Sequence, residues 1–257
     1  MTTNGTLLNP ETSRFLLDNH ISTQISIDGD RNSHDMMRYF PNGEGSYDVL
    51  LKNTSYLRNI KYLTARATLS PGNLDYIKVF DHLYSMGFVD IPISPARNLL
   101  KSDTDIKLEY MHFQKYVDYF CKCVKNNEID KAQKMTDIYL AFRKLQMTGV
   151  RKRGCGAFRN SVAINIDGKI YPCHRFVGIE KFCTGSITGN YKLKAKSTTE
   201  NSKCKSCWIK NLCLGGCAYE NFMSTANINE PSDEFCNHMH YMYHKLLELY
   251  IEIKMRI

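Results

Sequence analysis

The 257 residues contain no run of about 18 consecutive apolar side chains, so no membrane-spanning helix is expected. Residues 1–14, MTTNGTLLNPETSR, lack a basic stretch followed by an apolar core. No secretory signal is read there, and a cytoplasmic chain is expected. Seven Pro and 15 Gly are too few for a low-complexity or collagen-like polypeptide. Wholesale disorder is excluded as well, because apolar residues make up 43% and charged residues 23% of the chain.

Cysteine is what the chain does have, ten in all. Without export these are not expected to pair as disulfides, because cytosolic thiols are kept reduced. Cys121 and Cys123 lie in the helical run YVDYFCKCVKNN and read as small buried apolar residues. The other eight fall between positions 155 and 236, a crowding that points to metal. The formal net charge of +8 includes the cluster Arg151-Lys152-Arg153, read as solvated surface with no nucleic-acid partner expected. The same charge suits an anionic cluster, an anionic cofactor or an acidic peptide.

Alternating strand and helix patterns organise the first hundred residues. Segments 23–27, 62–69 and 88–93 read as strands, and 10–19, 47–59 and 74–86 as helices. Strand, helix, strand at such intervals predicts βαβ units and a parallel sheet, an α/β fold resembling the back part of a larger barrel. A helical stretch covers 107–147, in two segments broken near Asn126-Asn127. Around Asp167-Gly168, residues 161–171 read as a β-hairpin. Residues 185–200 read as polar loop, 201–224 as irregular and cysteine-dominated, and a C-terminal helix follows Pro231-Ser232-Asp233. The domain boundaries drawn are 1–106 for a partial barrel, 107–148 for a helical connection and 149–257 for a small α+β cysteine-bearing domain.

The spacing within the cysteine block is Cys155-x12-Gly168-x4-Cys173, then Cys204-x2-Cys207-x5-Cys213-x3-Cys217, then Cys236. Cys-x2-Cys puts two thiolates on one tight turn, and three or four thiolates hold a zinc ion or a cubane iron–sulfur cluster. Seven cysteines are one short of filling two four-ligand sites. A zinc-binding module with Cys204, Cys207, Cys213 and Cys217 on one ion, or with His174 or His238 recruited, is one reading; a non-catalytic iron–sulfur protein is another.

In this register the block resembles the SPASM domain of radical S-adenosylmethionine (SAM) enzymes. That resemblance implies two auxiliary [4Fe–4S] clusters, with Cys155, Cys173 and Cys217 on the first and Cys204, Cys207, Cys213 and Cys236 on the second. The front half is similar to the same enzymes: Thr2–Leu7 to the end of their third barrel strand, Ser26-Ile27-Asp28-Gly29 with His34-Asp35 and Arg38 to the fourth, Ala65-Arg66-Ala67-Thr68 to the fifth. By that similarity Ser26 and Arg66 are candidate SAM contacts, and Asn4 and Asp28 line the barrel mouth, at the strand ends where barrels place function. Aromatic Tyr171, Trp208, Tyr219 and Phe222 stand beside the ligands, either as walls excluding water or as plain core.

Two departures refine the expectation. The Cys-x3-Cys-x2-Cys triplet that holds the SAM-cleaving cluster in these enzymes is missing from the sequence. The chain is therefore expected to be a truncated or split portion that does not cleave SAM alone and is completed by a separate N-terminal barrel half. Second, His174 follows Cys173 where sulfatase maturases of the family place an acidic residue, and Gly149 stands where they carry an extra ligand. Both features resemble the maturases that build thioether crosslinks in cysteine-rich peptides. The implied enzyme is an oxidoreductase acting on a peptide or protein, with an electron donor such as ferredoxin or flavodoxin. His174 is a candidate catalytic base or a hydrogen-bond partner of a cluster sulfur. The first cluster keeps an open iron for a substrate thiolate unless Cys183 closes it. Sulfatase formylglycine maturation is the alternative activity.

Overall fold

A computed structural model of the chain describes residues 1–57, 63–147, 155–192 and 202–255, excluding the side chains of Tyr56 and Ser202. The chain divides into two units, one made of 1–143 with 244–257, the other of 144–243.

The first unit is built on a four-stranded parallel sheet, order β1 (Thr2–Thr3), β2 (Thr23–Ser26), β3 (Leu63–Leu69), β4 (Ile93–Pro95). It is an open sheet, and no closed barrel forms among the described strands. Its connections are helical: α1 (Pro10–Asp18), α2 (Arg31–Asp35), α3 (Tyr47–Thr54) and α4 (Tyr76–Ser85). Local chemistry sets several starts. Asn9 and Thr12 form a reciprocal capping box ahead of Pro10. The Asp75 carboxylate accepts from the amides of Ile77 and Lys78, so α4 begins at Tyr76 rather than Leu74. The predicted helix over 47–59 stops at Thr54, continues as a 3-10 turn to Leu57, and then leaves the described residues.

The predicted strand over 88–93 pairs later than expected. A single bridge joins Thr64 to Asp90, and the regular ladder covers only Ile93–Pro95. Pro92 and Pro95 have no amide hydrogen to donate.

The helical stretch is three helices rather than two: α5 (Asp103–Lys125), α6 (Ile129–Lys134) and α7 (Thr136–Lys144). The predicted break at Asn126-Asn127 is present, with Asn127 in the left-handed region. A second break falls at Met135, whose side chain is fully buried. Phe80, Val117, Phe120, Ile138 and Phe142 form the core beneath these helices, and Tyr76 donates to the buried Glu109 at 2.6 Å.

The second unit holds an antiparallel sheet of β5 (Ala163–Ile164), β6 (Lys169–Tyr171) and β7 (Gly185–Ser186). The hairpin turn is the predicted one. Gly168 has φ +76°, and a Cβ there would meet the Ile187 side chain at 2.9 Å. β7 corrects the reading of 185–200 as loop: its pairing partner is distant in sequence and leaves no local pattern. The segment read as irregular carries α8 (Ser202–Lys205), α9 (Lys210–Cys213) and α10 (Ala218–Thr225), helices too short for a periodicity to emerge. α11 (Asp233–Met255) follows as predicted, buries Tyr243, Leu246 and Leu249, and contributes its two ends to different units. Among the described residues no helix is long and apolar enough to cross a membrane.

Phe80 is fully buried against Tyr84 and Tyr116, both at 5.8 Å between ring centroids, whereas Phe15 is 60% exposed. Phe80→Ala is expected to cost about 3–5 kcal/mol, and Phe15→Ala less than about 0.5 kcal/mol. Urea denaturation of the two variants checks this, and equal costs would contradict the packing described.

Candidate functional site

Strands of parallel sheets, covered on both faces, read as continuous apolar runs. β3 departs from this rule. Leu63, Ala65, Ala67 and Leu69 are buried on one face, while Thr64, Arg66 and Thr68 are half-buried on the other. Register carries that polar face across the sheet, with Gln24 beside Thr64, Ser26 beside Arg66 and Ser94 beside Thr68. Arg66 donates through Nη2 to Ser94 Oγ at 2.6 Å. Ser26 and Arg66, two of the four residues predicted for the SAM site, are therefore direct neighbours. Sequence reasoning missed Gln24, Thr64 and Ser94, although the alternation in LTARATL carries the signal for Thr64.

The other two predicted residues are engaged locally. Asn4, exposed after β1, accepts through Oδ1 from the Thr6 amide at 3.2 Å and the Thr6 hydroxyl at 3.0 Å. Asp28 is buried, and its carboxylate takes two bonds from Arg38, Nε at 2.6 Å and Nη2 at 3.1 Å. A third comes from the Thr68 amide on β3, at 2.8 Å. The Asp28 amide donates to His34 Nδ1 at 3.3 Å. That bond puts the ring proton on Nε2, which donates to Ser46 Oγ at 3.0 Å, and Ser46 in turn donates to the Arg38 carbonyl at 2.9 Å. Gly29, at φ +115°, lets the chain turn here into α2. Asp28 thus ties the loop after β2 to β3 and α2 and does not present an open carboxylate.

In the second unit Cys204, Cys207, Cys213 and Cys236 are close enough for their charges to act on one another. Burial pushes the Cys213 thiol up to about 11, and Cys236, Cys204 and Cys207 add to the rise. Cys236 is raised by burial and by Cys204 and Cys207, with Lys203 opposing. Among the described residues no three Cys, His, Asp or Glu side chains are gathered tightly enough for a single ion. A tetrahedral zinc would bring its sulfurs to about 3.8 Å of each other. The donor set is rich in thiols, which both a zinc ion and an iron–sulfur cluster accept.

His240 was missed from the sequence, and its Nε2 lies 3.2 Å from Cys207 Sγ. It stands four residues after Cys236, on the same helical face, which is the signal that could have found it. His238 is instead tied to its own helix, its Nδ1 2.7 Å from the Glu234 carbonyl oxygen. Trp208 is 53% exposed and faces His240 at 6.0 Å, so it is not a water-excluding wall.

Cys173 and Cys183 pack against an aromatic core. Phe158, Tyr171 and Phe176 are buried, with Cys173, Cys183, Tyr219 and Phe222 packed against them. Cys217 precedes α10 and receives a hydrogen bond from Arg175 Nη1 at 3.8 Å. Arg175 also pairs with Glu220 at 2.5 Å and lies 4.3 Å above the Tyr219 ring. Cys155 is exposed, and the Cys183 thiol donates to the Gly185 carbonyl at 3.5 Å. His174 is exposed on a 3-10 turn. Gly149 and the cluster Arg151-Lys152-Arg153 lie outside the described residues.

No protein-family model matches the chain. It is 24% identical over 251 residues to an uncharacterized protein of Archaeoglobus fulgidus, matching 90% of this chain and 58% of that protein. It is 23% identical over 261 residues to a cysteine-type anaerobic sulfatase-maturating enzyme of Clostridium novyi, matching 91% of this chain and 68% of the relative. The chain thus spans less than two thirds of the length of the first of these relatives. A solved structure of native anSMEcpe with bound AdoMet and the Cp18Cys peptide superposes with a TM-score of 0.73 at 16% identity, over 98% of this chain and 74% of that one. A histidine-tagged form of anSMEcpe with bound AdoMet gives 0.74 at 16% identity, over 100% and 71%. The fold is that of these AdoMet-bound structures, in accord with the radical SAM and SPASM resemblance read from the sequence.

Two expectations follow from the Asp28 network. Arg38→Met strands a buried carboxylate and is expected to cost about 3 kcal/mol or more in denaturant melts, with Arg38→Lys recovering only part. Burial lowers the His34 pKa below its usual value of 6.5; Asp28 and Asp35 oppose the shift and Arg38 adds to it. The stability held in neutral His34 is therefore full above about pH 6.5 and is lost as pH falls through the depressed folded value. Melts between pH 8 and 5 should show this loss, and His34→Gln should flatten it. His82, also lowered by burial, leaves a residual slope.

Proposed function

We propose that the chain serves a radical SAM oxidoreductase that modifies a peptide or protein, with SAM held at the polar sheet face and two [4Fe–4S] clusters held by the cysteines. What supports the reading most is the register of the seven cysteines, together with a fold shared with AdoMet-bound structures. When bound, SAM supplies the hydrogen-abstracting radical and the clusters accept electrons. The chain's own residues bind, orient and shield. Arg66 offers a guanidinium to an anionic group and Ser26 a hydroxyl, both half-buried, where such contacts are stronger than in water. Asp28 acts on them indirectly by fixing β2 against β3.

In the second unit, Cys155, Cys173 and Cys217 would hold the first cluster and Cys204, Cys207, Cys213 and Cys236 the second. Arg175 brings positive charge to Cys217, and the aromatic core excludes water from the side of Cys173. The Trp208–His240 pair reaches solvent beside Cys207, with Lys205 on α8 and Lys210 on α9 flanking this stretch of chain and Lys203 paired to Asp233. An acidic electron carrier such as ferredoxin or flavodoxin fits that surface.

Thioether formation at cysteine is the finer reading. It rests on His174, which follows Cys173 where sulfatase maturases place an acidic residue, and on Gly149, which stands where they carry an extra ligand. Formylglycine formation is the second reading, favoured by the sulfatase-maturating relative and by the solved maturase structures.

Anaerobic reconstitution is expected to load about eight iron and eight sulfide per chain. Cys207→Ser with Cys213→Ser should remove about half, and Cys173→Ser with Cys217→Ser the other half. Stoichiometric zinc without acid-labile sulfide would overturn the reading. A cysteine-containing peptide should shift the electron paramagnetic resonance signal of one cluster only. If it shifts neither, the thioether reading gives way to the formylglycine one.

A further inference from the structure

Within the second unit, a cavity of about 840 Å3 opens beside the aromatic core and outside both cysteine sets. Its size falls in the range of about 300–1,000 Å3 usual for ligand pockets. Phe158, Phe182, Phe222 and Ile228 form an apolar floor, and Lys181 and Lys192 stand at its edge. Among the described lining residues there is no carboxylate. The Lys181 ammonium is held over this floor, 3.8 Å from the Phe222 ring centroid and 5.2 Å from that of Phe182. The floor rings are themselves packed together, Phe182 against Phe222 at 5.0 Å. An apolar floor with the Lys181 ammonium over it, Lys192 also in the lining and no carboxylate among the described lining residues, is complementary to one kind of ligand.

We propose that this cavity is a peptide-binding site that takes an aromatic or aliphatic side chain flanked by carboxylates. The phenyl or alkyl group would meet the floor, and the carboxylates would meet Lys181 and Lys192. Cys173 packs against the same buried aromatic cluster as the lining residues Phe182 and Phe222. The choice of a peptide as ligand rests on the proposed function; the cavity and its charge do not.

Fluorescein-labelled Glu-Phe-Glu, Gln-Phe-Gln and Glu-Ala-Glu amides, titrated anaerobically into the full chain with and without reconstituted iron, test the site by anisotropy. Glu-Phe-Glu should bind most tightly. Replacing Phe by Ala should weaken binding at least about tenfold, and replacing Glu by Gln several-fold. Lys181→Met combined with Lys192→Met should abolish the preference for Glu over Gln while leaving the apolar contribution in place, and high salt should do the same to the unaltered chain. Cys183 lines the cavity, so Glu-Phe-Glu should slow its alkylation by iodoacetamide as read by peptide mapping. Absence of binding, an unchanged Glu preference in the double variant, or unprotected Cys183 would each overturn the inference. Binding that persists in a chain unable to load iron would leave the site standing and remove the cluster reading. Clusters that load normally while no peptide binds would do the reverse.

Discussion

A buried carboxylate must be met by donors, and in the first unit that requirement organises everything around it. Asp28 lies just past the end of β2, where the ladder to β3 would otherwise stop. Its oxygens take the Thr68 amide from β3 and the fork of Arg38 from beyond α2. The cost of desolvating the charge is met only when all three elements sit together, so the carboxylate enforces their arrangement. His34 and Ser46 extend the constraint to the start of α3. Ser26 and Arg66 keep their adjacency because the strands that carry them are pinned a residue or two away.

The second unit answers a different constraint. Its described strands are two or three residues long and α8 and α9 are single turns, so backbone pairing contributes little. Its apolar core is a small group of aromatic rings, with Phe176 at the centre, 4.4 Å from Phe182, 5.3 Å from Phe158 and 5.5 Å from Tyr219. Such a unit resembles the small domains that depend on metal or crosslinks because their hydrophobic core is limited. Under the proposed function, cluster binding and folding of this unit are linked, and the raised thiols of Cys213 and Cys236 are the unloaded side of that linkage. The aromatic core would then serve two sides, backing Cys173 on one and flooring the lysine-edged cavity on the other.

Much of this was legible in the sequence, for physical reasons that differ by element. α1, α4 and α11 have apolar faces at helical spacing, and β2 and β3 alternate with period two. Those patterns are local. The hairpin was legible because Asp167-Gly168 needs a positive φ that glycine supplies. The cysteine spacing named the block, since seven thiols in one register carry more information than any single turn. Failures cluster where the determinant is remote. β7 exists because Lys169 and Ile170 pair with it, and α8 and α9 last one turn each.

Sequence by itself determined the parallel α/β character of the first unit, the cysteine-bearing character of the second and the identity of the candidate ligands, because periodicity and spacing are properties of neighbouring residues. Only the tertiary structure decided that Asp28 is an internal brace rather than an open group, since Arg38 and the Thr68 amide come from different elements. Likewise, only the fold set His240 against Cys207, exposed Trp208, and drew Lys181 over the phenyl rings of 182 and 222. Each of these depends on segments far apart in the chain meeting in space, and burial and charge act on that meeting rather than on the order of residues.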